Sequence, residues 1–255
     1  GGGSPSALRR DLLYRIVDSV IDHFEGGGEF TAEVNPGQCD EEMLFELCSR
    51  GVNRLSIGAQ CFNEKKLNFL GRGHGVNDIY STFEAGRKAG LGSISVDLMF
   101  AVPGLSVKQF RGDLKKAVGL GVEHISAYAL SYEAGSAMTA ARDSGDIEVV
   151  SEEDDRAMYL ATIDYLFEKG FLHYEISNFA RAGFECEHNL RYWANEPFIG
   201  LGPSAHSYYC GRRTENVSDV VHYVEAINGG RLAIVEAYEP DEVERACETA
   251  VLGLR

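Results

Sequence analysis

The sequence predicts an α/β fold, a parallel β-sheet whose strands are joined by crossover helices. Three observations predict it. Apolar residues at helical spacing alternate with short β-prone runs about five times along the chain. Most segments are bounded by a capping residue or a turn signal. The repetition is of type and not of sequence, which excludes a solenoid and leaves strand–helix units in one parallel sheet.

Leu12, Leu13, Ile16, Val17, Val20, Ile21 and Phe24 recur at helical spacing and predict a helix over about 7–24, ended by Gly26-Gly27-Gly28. A strand follows at Phe30 to Val34 and stops at Asn35-Pro36-Gly37. Asp40 is placed to cap a helix carrying Met43, Leu44 and Leu47, which Gly51 ends. The next strand is Arg54 to Gln60, and Asn77 then caps a helix carrying Ile79 and Phe83. After a strand at Ser93 to Phe100, Ser106 with Gln109 makes a capping box for a helix lined by Phe110, Leu114, Ala117 and Val118. A strand at His124 to Leu130, a helix from Ser151 to about Lys169 and a strand near His173 to Phe179 complete the alternation. The sheet is either open and doubly wound or a closed or partly closed (β/α) barrel; both gather polar residues at strand C-terminal ends around a ligand. That rule selects Glu33, Asn35, Gln60, Asp97 and Ser131.

From about Gly183 the pattern changes. His188 to Trp193 and Phe198 to Ser207 are rich in aromatics and glycine and read as loops over a barrel end, followed by helical stretches near Asp219 to Ile227 and from Asp241 onward.

With 255 residues and 44% hydrophobic composition the chain can bury one large core, with or without a small annex. The formal net charge of −15 opposes binding to nucleic acid or anionic lipid. No apolar run is long enough to span a bilayer and no secretory signal is read in the opening residues. Cys39, Cys48, Cys61, Cys186, Cys210 and Cys247 form no CxxC pair; this suits reduced thiols in a cytoplasmic protein, most of them serving as small buried apolar residues. The opening Gly1-Gly2-Gly3-Ser4-Pro5-Ser6 is a turn with no strand before it, so the sequence reads as a fragment lacking its upstream part, and its end inside a helical stretch suggests a cut there as well.

Seven segments, in order, resemble one family. Gly1 to Pro5 looks like the GGGTP motif of radical S-adenosylmethionine (SAM) enzymes of the oxygen-independent coproporphyrinogen III oxidase type (HemN/HemW type). Glu33-Val34-Asn35-Pro36 resembles their EANP strand end, Ile57 to Gln60 their GVQ strand, and Leu70 to His74 their LGRxH segment. Val96 to Gly104 resembles DLMYGLPG, His173 to Arg181 matches HYEISNFAR, and His188 to Trp193 fits HNxxYW. The last two lie nearer the haem chaperone branch than the oxidase branch. Ser4 for Thr keeps the hydroxyl, Ala59 for Val loses little bulk, and Ala101-Val102 stand where the family has Gly-Leu. The CxxxCxxC loop that precedes GGGTP in the family is absent, so no cysteine here inherits a cluster role.

The resemblance implies a partial (β/α) barrel of the radical SAM type over residues 1–182, lacking its first strand and cluster loop, and a loop-rich extension over 183–255. It implies SAM, a [4Fe–4S] cluster held from upstream of Gly1 rather than by any metal ligand in this chain, an electron donor, and haem or a porphyrinogen as partner. Gly2, Gly3 and Ser4 would lie beside the methionyl end of SAM; Glu33, Gln60, Arg72 and Asp97 would contact it, Arg72 suiting a carboxylate. On residue type alone, Glu33 and Asp97 equally suit pairing with buried arginines, Gln60 an ordinary strand end, and Arg72 a surface charge. His188 is the candidate haem ligand, with Tyr192 and Trp193 to pack on a porphyrin face; a hydrogen-bonded loop histidine is its plain alternative. His206 is a weaker candidate for the same cavity, and His74 an orienting neighbour of Arg72.

The function implied is a SAM- and haem-binding chaperone of haem or porphyrin metabolism. Its alternatives are a coproporphyrinogen oxidase, an unrelated (β/α) barrel enzyme and a non-catalytic binding protein. Any oxidoreductase-like activity belongs to an intact parent with its cluster loop. The 255-residue chain, with no three closely spaced thiolates, is expected to hold no stable cluster. Anaerobic reconstitution followed by iron and sulfide analysis checks this, and near-stoichiometric cluster overturns it.

Overall fold

The computed structural model describes residues 5–24 and 27–254, so the candidates Gly2, Gly3 and Ser4 lie outside the described residues. The chain divides into two compact units that meet between Glu185 and Cys186.

The first unit is a mixed six-stranded sheet in the order β1-β2-β3-β4-β6-β5. Its strands are β1 (Thr31–Val34), β2 (Arg54–Gln60), β3 (Ser93–Phe100), β4 (His124–Ala129), β5 (Leu172–Glu175) and β6 (Asn178–Ala180). β1 to β4 are parallel neighbours, and β6 runs antiparallel to both β4 and β5. The helices are α1 (Arg10–His23), α2 (Glu41–Ser49), α3 (Glu64–Phe69), α4 (Val76–Lys88), α5 (Val107–Leu120), α6 (Ala137–Asp143) and α7 (Glu152–Glu168).

Strict alternation along the strands gives the sheet two unlike faces. Leu55, Ile57, Ile94, Val96, Leu98, Ile125 and Ala127 point to one side and join the apolar faces of α1, α2, α4, α5 and α7 in a single core. The ladder register places Glu33, Ser56, Ser95 and His124 in one row on the other side, with Asp97 and Ser126 paired one step along. A parallel sheet covered by helices on both faces would need apolar residues at consecutive positions. Here helices cover one face and the other lines a polar concavity.

Several sequence expectations are corrected. The strand expected from His173 to Phe179 is a hairpin, because Ile176 and Ser177 form a tight turn that Glu175 caps by accepting from Ser177 N at 2.8 Å. α4 is capped at Gly75 rather than Asn77, Asp78 Oδ2 accepting from Gly75 N at 2.8 Å. α3, capped by Asn63, and α6, capped by Ser136, were not expected, since six or seven residues carry little periodicity. α1 is shorter than expected, preceded by a 3-10 turn at Pro5–Ala7, and buries Leu13 and Val17 while Leu12, Ile16 and Ile21 stay exposed. Of the six cysteines only Cys39, Cys61 and Cys186 are buried.

The second unit is built on an antiparallel sheet of β7 (His206–Tyr209), β8 (Arg212–Asn216) and β9 (Ile234–Tyr238), with α8 (Glu187–Trp193), α9 (Val220–Asn228) and α10 (Glu242–Leu252). His188 to Trp193, expected in a loop, form α8. Cys210 and Gly211, with φ of 51° and 75°, make the two-residue hairpin between β7 and β8. Gly200 is required: a Cβ there would fall 2.1 Å from the carbonyl oxygen of His206.

Both β2 and β3 leave the sheet through a non-glycine residue in the left-handed region, Gln60 at φ 65° and Ala101 at φ 54°. Ala101 is the position where the family motif has glycine, and burial of its one methyl group offsets only part of the strain. Ala101→Gly should therefore raise stability by about 1 kcal/mol, seen as a higher urea midpoint at unchanged m-value; an unchanged or lower midpoint contradicts this.

Candidate functional site

The polar face is held by side chains bonded to one another. Asp97, half-buried on β3, lies between Ser56 of β2 and Ser126 of β4. Ser56 Oγ donates to its two carboxylate oxygens at 3.1 and 3.3 Å. Burial pushes the Asp97 carboxyl up to about 6; the serine hydrogen bonds pull it down, the charge of Glu33 adds to the rise and Arg54 opposes it. At the start of β2, buried Arg54 donates to Ser93 Oγ and to the Phe184 carbonyl, both at 3.1 Å, and pairs with Glu29 at 3.7 Å. Ser95 Oγ and Tyr174 OH each lie 2.8 Å from a ring nitrogen of buried His124. Burial, then the nearby Arg54, lowers the His124 imidazole to about 3, so it is neutral.

Toward the strand ends, Tyr128 OH donates to Gln60 Oε1 at 2.8 Å. The Tyr128 phenol is pushed up to about 12, first by burial and next by the Asp97 charge; the Gln60 bond and Arg72 oppose this, and Glu33 adds to it. Tyr128 thus lies within electrostatic reach of Glu33, Arg72 and Asp97 and in contact with Gln60, which makes it the common neighbour of all four candidates. Glu33 is exposed, Arg72 half-buried and Gln60 buried.

Arg72 sits in a cleft of about 330 Å³ beside the strand ends, lined also by Asn35, Gly37, Gln38, His74 and Asp78. Buried His74 anchors this loop, its Nε2 lying 3.4 Å from the Ala59 carbonyl oxygen at the end of β2; burial lowers its pKa. Across the cleft, Ser6 Oγ donates to Gln38 Oε1 at 2.9 Å and Asn35 Nδ2 to the same oxygen at 3.3 Å. Gly58 permits this crowding: a Cβ there would lie 3.2 Å from Gln60 Nε2 and 3.4 Å from Asn35 Oδ1. Ser131 is exposed beyond β4, and Glu33 and Asp97 lie on the concave face rather than in the lining of the Arg72 cleft. Ser56, Ser95, His124, Ser126 and Tyr128 were missed by a search confined to strand ends. Period-two alternation within Arg54–Gln60, Ser93–Phe100 and His124–Ala129 marks every one of them.

In the second unit His188 is exposed on the first turn of α8. Its ring lies 4.7 Å from that of Tyr192, which stacks on Phe198 at 4.3 Å. His206 is exposed at the start of β7. A separate cavity of about 500 Å³, lined by Leu201, Tyr209, Tyr223, Ile227 and Leu232 among others, has neither histidine in its lining. Among the described residues no group of three His, Cys, Asp or Glu side chains is arranged to hold a metal ion, so they offer no ligand set for an iron–sulfur cluster. Hydrogen-bonding groups on the polar face and a guanidinium in the adjoining cleft do suit a zwitterionic nucleoside such as SAM.

Residues 1–117 match the Radical SAM superfamily. The haem chaperone HemW of Bacillus subtilis is 36% identical over 258 aligned positions, covering 100% of this chain and 68% of that protein. The chain belongs to the HemW family. A zebrafish relative, the mitochondrial radical S-adenosyl methionine domain-containing protein 1, is 37% identical over 82% of this chain and 48% of its own length. The chain therefore spans between about half and two thirds of these HemW-type relatives. Coproporphyrinogen III oxidase (HemN) from Escherichia coli superposes with a TM-score of 0.85 over 100% of this chain and 62% of that one, at 21% identity, which shows the fold. The one-sided sheet is the partial (β/α) barrel of the radical SAM fold, and membership implies SAM and a [4Fe–4S] cluster as cofactors. Among the described residues, no helix is long and apolar enough to cross a membrane.

The raised Asp97 carboxyl has a pH signature. Because its folded value of about 6 exceeds the ordinary 3.8, ionising it opposes folding. The penalty is absent below about pH 4, grows between about pH 4 and 6, and is constant above. Asp97→Asn keeps one acceptor oxygen and adds an NH2 group that a serine hydroxyl can accept from, and should stabilise the protein by about 2 kcal/mol at pH 7.5. Urea unfolding of both proteins should show that gain vanishing near pH 4; a gain independent of pH contradicts this origin.

Proposed function

We propose that this chain is the SAM- and haem-handling part of a radical SAM haem chaperone. The observation that carries the reading is Tyr128 on the concave face, in contact with Gln60 and within electrostatic reach of Glu33, Asp97 and the cleft residue Arg72, in a chain whose relatives include proteins named haem chaperone HemW. SAM, when bound, supplies an activated sulfonium and a nucleoside; the described residues bind and orient it. Arg72 holds the carboxylate of the methionyl end, its planar fork matching two oxygens. Glu33, exposed on the concave face, accepts from a ribose hydroxyl or the amino group. Asp97, its carboxyl raised to about 6 by burial yet mostly ionised at neutral pH, accepts a hydrogen bond from the nucleoside. The family motif assigns Gly2, Gly3 and Ser4, which lie outside the described residues, to the methionyl end.

Haem is the cargo in this reading. His188 is accessible, and Tyr192 stacked on Phe198 beside it offers an aromatic surface next to the imidazole. An electron donor serves the cluster of the intact protein. A cytoplasmic setting suits six free cysteines. Fold likeness alone connects the chain to the porphyrinogen oxidase, whereas the sequence relatives favour the chaperone.

The test uses the full-length protein with its cluster reconstituted. Haem titration followed by Soret absorbance and SAM binding by calorimetry are run on the same samples. His188→Ala should weaken haem binding at least tenfold and leave SAM affinity within twofold; Arg72→Ala should do the reverse. Unchanged haem affinity in folded His188→Ala removes His188 as ligand, and no haem binding by the wild type removes the chaperone reading.

A further inference from the structure

Tyr128 carries a polar atom into the centre of the concave face, yet nothing assigns it a role. Its hydroxyl donates to Gln60 Oε1 at 2.8 Å, and burial keeps the phenol protonated, so it remains a donor throughout the neutral range. Gln60 is held from the backbone side as well. It stands at φ 65°, spanned by a hydrogen bond from Cys61 N to the Ala59 carbonyl at 2.8 Å. The turn sets the direction in which the side chain leaves the backbone and burial confines it, so the rotation of the terminal amide is what is left to fix. Tyr128 fixes it. With Oε1 engaged, Nε2 is the end turned toward Gly58, where Asn35 Oδ1 also lies. Asn35 Nδ2 donates to Gln38 Oε1, which fixes Asn35 Oδ1 on that side, so the flipped amide would turn a second carbonyl oxygen toward it.

We infer that Tyr128 is a positioning residue that locks Gln60 as a hydrogen-bond donor, so that the ligand atom Gln60 meets is an oxygen acceptor, a carboxylate or hydroxyl oxygen, and not the ammonium group. The inference rests on reading this face as the SAM site. It divides the face by polarity. Gln60 and Arg72 present donors, while Glu33 and Asp97 present acceptors. A zwitterionic ligand then enters in one orientation, its oxygens toward the first pair and its ammonium toward the second. Tyr128 does not touch the ligand in this arrangement; it acts through Gln60.

The experiment is a double-mutant cycle in the full-length, cluster-reconstituted protein, with SAM affinity measured by calorimetry. Tyr128→Phe keeps the ring and removes only the hydroxyl, and should weaken SAM about fivefold, the ordinary worth of one hydrogen bond. In a Gln60→Leu background the same change should do nothing beyond twofold, because the group it orients is gone. Gln60→Glu, which still accepts from Tyr128 but has no NH2 to offer, should weaken SAM at least as much as Gln60→Leu. Additive losses in the double mutant, an unchanged affinity in Tyr128→Phe, or wild-type affinity in Gln60→Glu overturns the inference. A ligand-free measurement separates it from the SAM reading. The Tyr128 ring carbon bearing the hydroxyl, identified by its disappearance in Tyr128→Phe, should shift in the carbon NMR spectrum of Gln60→Leu. If the wild type binds no SAM but that shift occurs, the SAM reading falls and the lock stands; if the resonance does not move, the lock itself is refuted.

Discussion

Everything in the first unit depends on the two-sidedness of its parallel sheet. A β-strand sends alternate side chains to opposite faces, so one face can be apolar and the other polar only if every strand keeps the same phase across the ladder. The register Glu33–Ser56–Ser95–His124 shows four strands in phase. A slip of one residue in any of them would put a serine or a carboxylate under a helix and a leucine into the concavity. The helices enforce the phase from outside, burying Ile57, Val96 and Ile125. The polar side enforces it from within, because groups such as Ser95 and His124 are buried almost completely and find partners only in their neighbours on the same face.

This arrangement explains why buried polar chemistry is tolerated here. Each such group costs several kcal/mol unless it is hydrogen-bonded, and on this face the partners come from the chain itself rather than from the ligand. Arg54 has two oxygen acceptors besides Glu29, Asp97 has two hydroxyls, and Gln60 has a phenol. Part of the capacity is left over: Glu33 is exposed, and the Arg72 guanidinium opens on a cleft. The frame is satisfied internally and the residues that reach solvent are those free to meet something else.

Much of this was legible in the sequence. The strands from Arg54 to Gln60 and from Ser93 to Phe100 stand where their β-prone runs placed them, and Ser106 with Gln109 forms the capping box its spacing announced. The capping of α2 by Asp40 is equally local and equally plain. What escaped carried no turn residue or apolar pattern to announce it. The Ile176–Ser177 turn has neither glycine nor proline, and its stabiliser is the buried Glu175 carboxylate. Residues 188–193 look like a loop because aromatics crowd them, yet rings four residues apart meet on one helix face, as the tilted pair His188 and Tyr192 do. Tyr128 was passed over because it reads as an ordinary β-former; alternation gives its face, but only the folded structure shows its hydroxyl reaching Gln60 across β3.

The hydrogen bond from Arg54 to the Phe184 carbonyl has a mechanical consequence. It is made two residues before the boundary between the units, by a side chain rooted in the first residue of β2. Tension applied along the chain at Cys186 would be delivered through Phe184 to that guanidinium, and from there to Ser93 and Glu29, before it could load the β5–β6 ladder at the rim of the sheet. Hairpins at a sheet rim peel one hydrogen bond at a time under such a load, whereas a guanidinium gripping several oxygens must release them together. The fold thus carries a strain relief at its joint, sparing the rim strands from whatever pulls on the rest of the polypeptide.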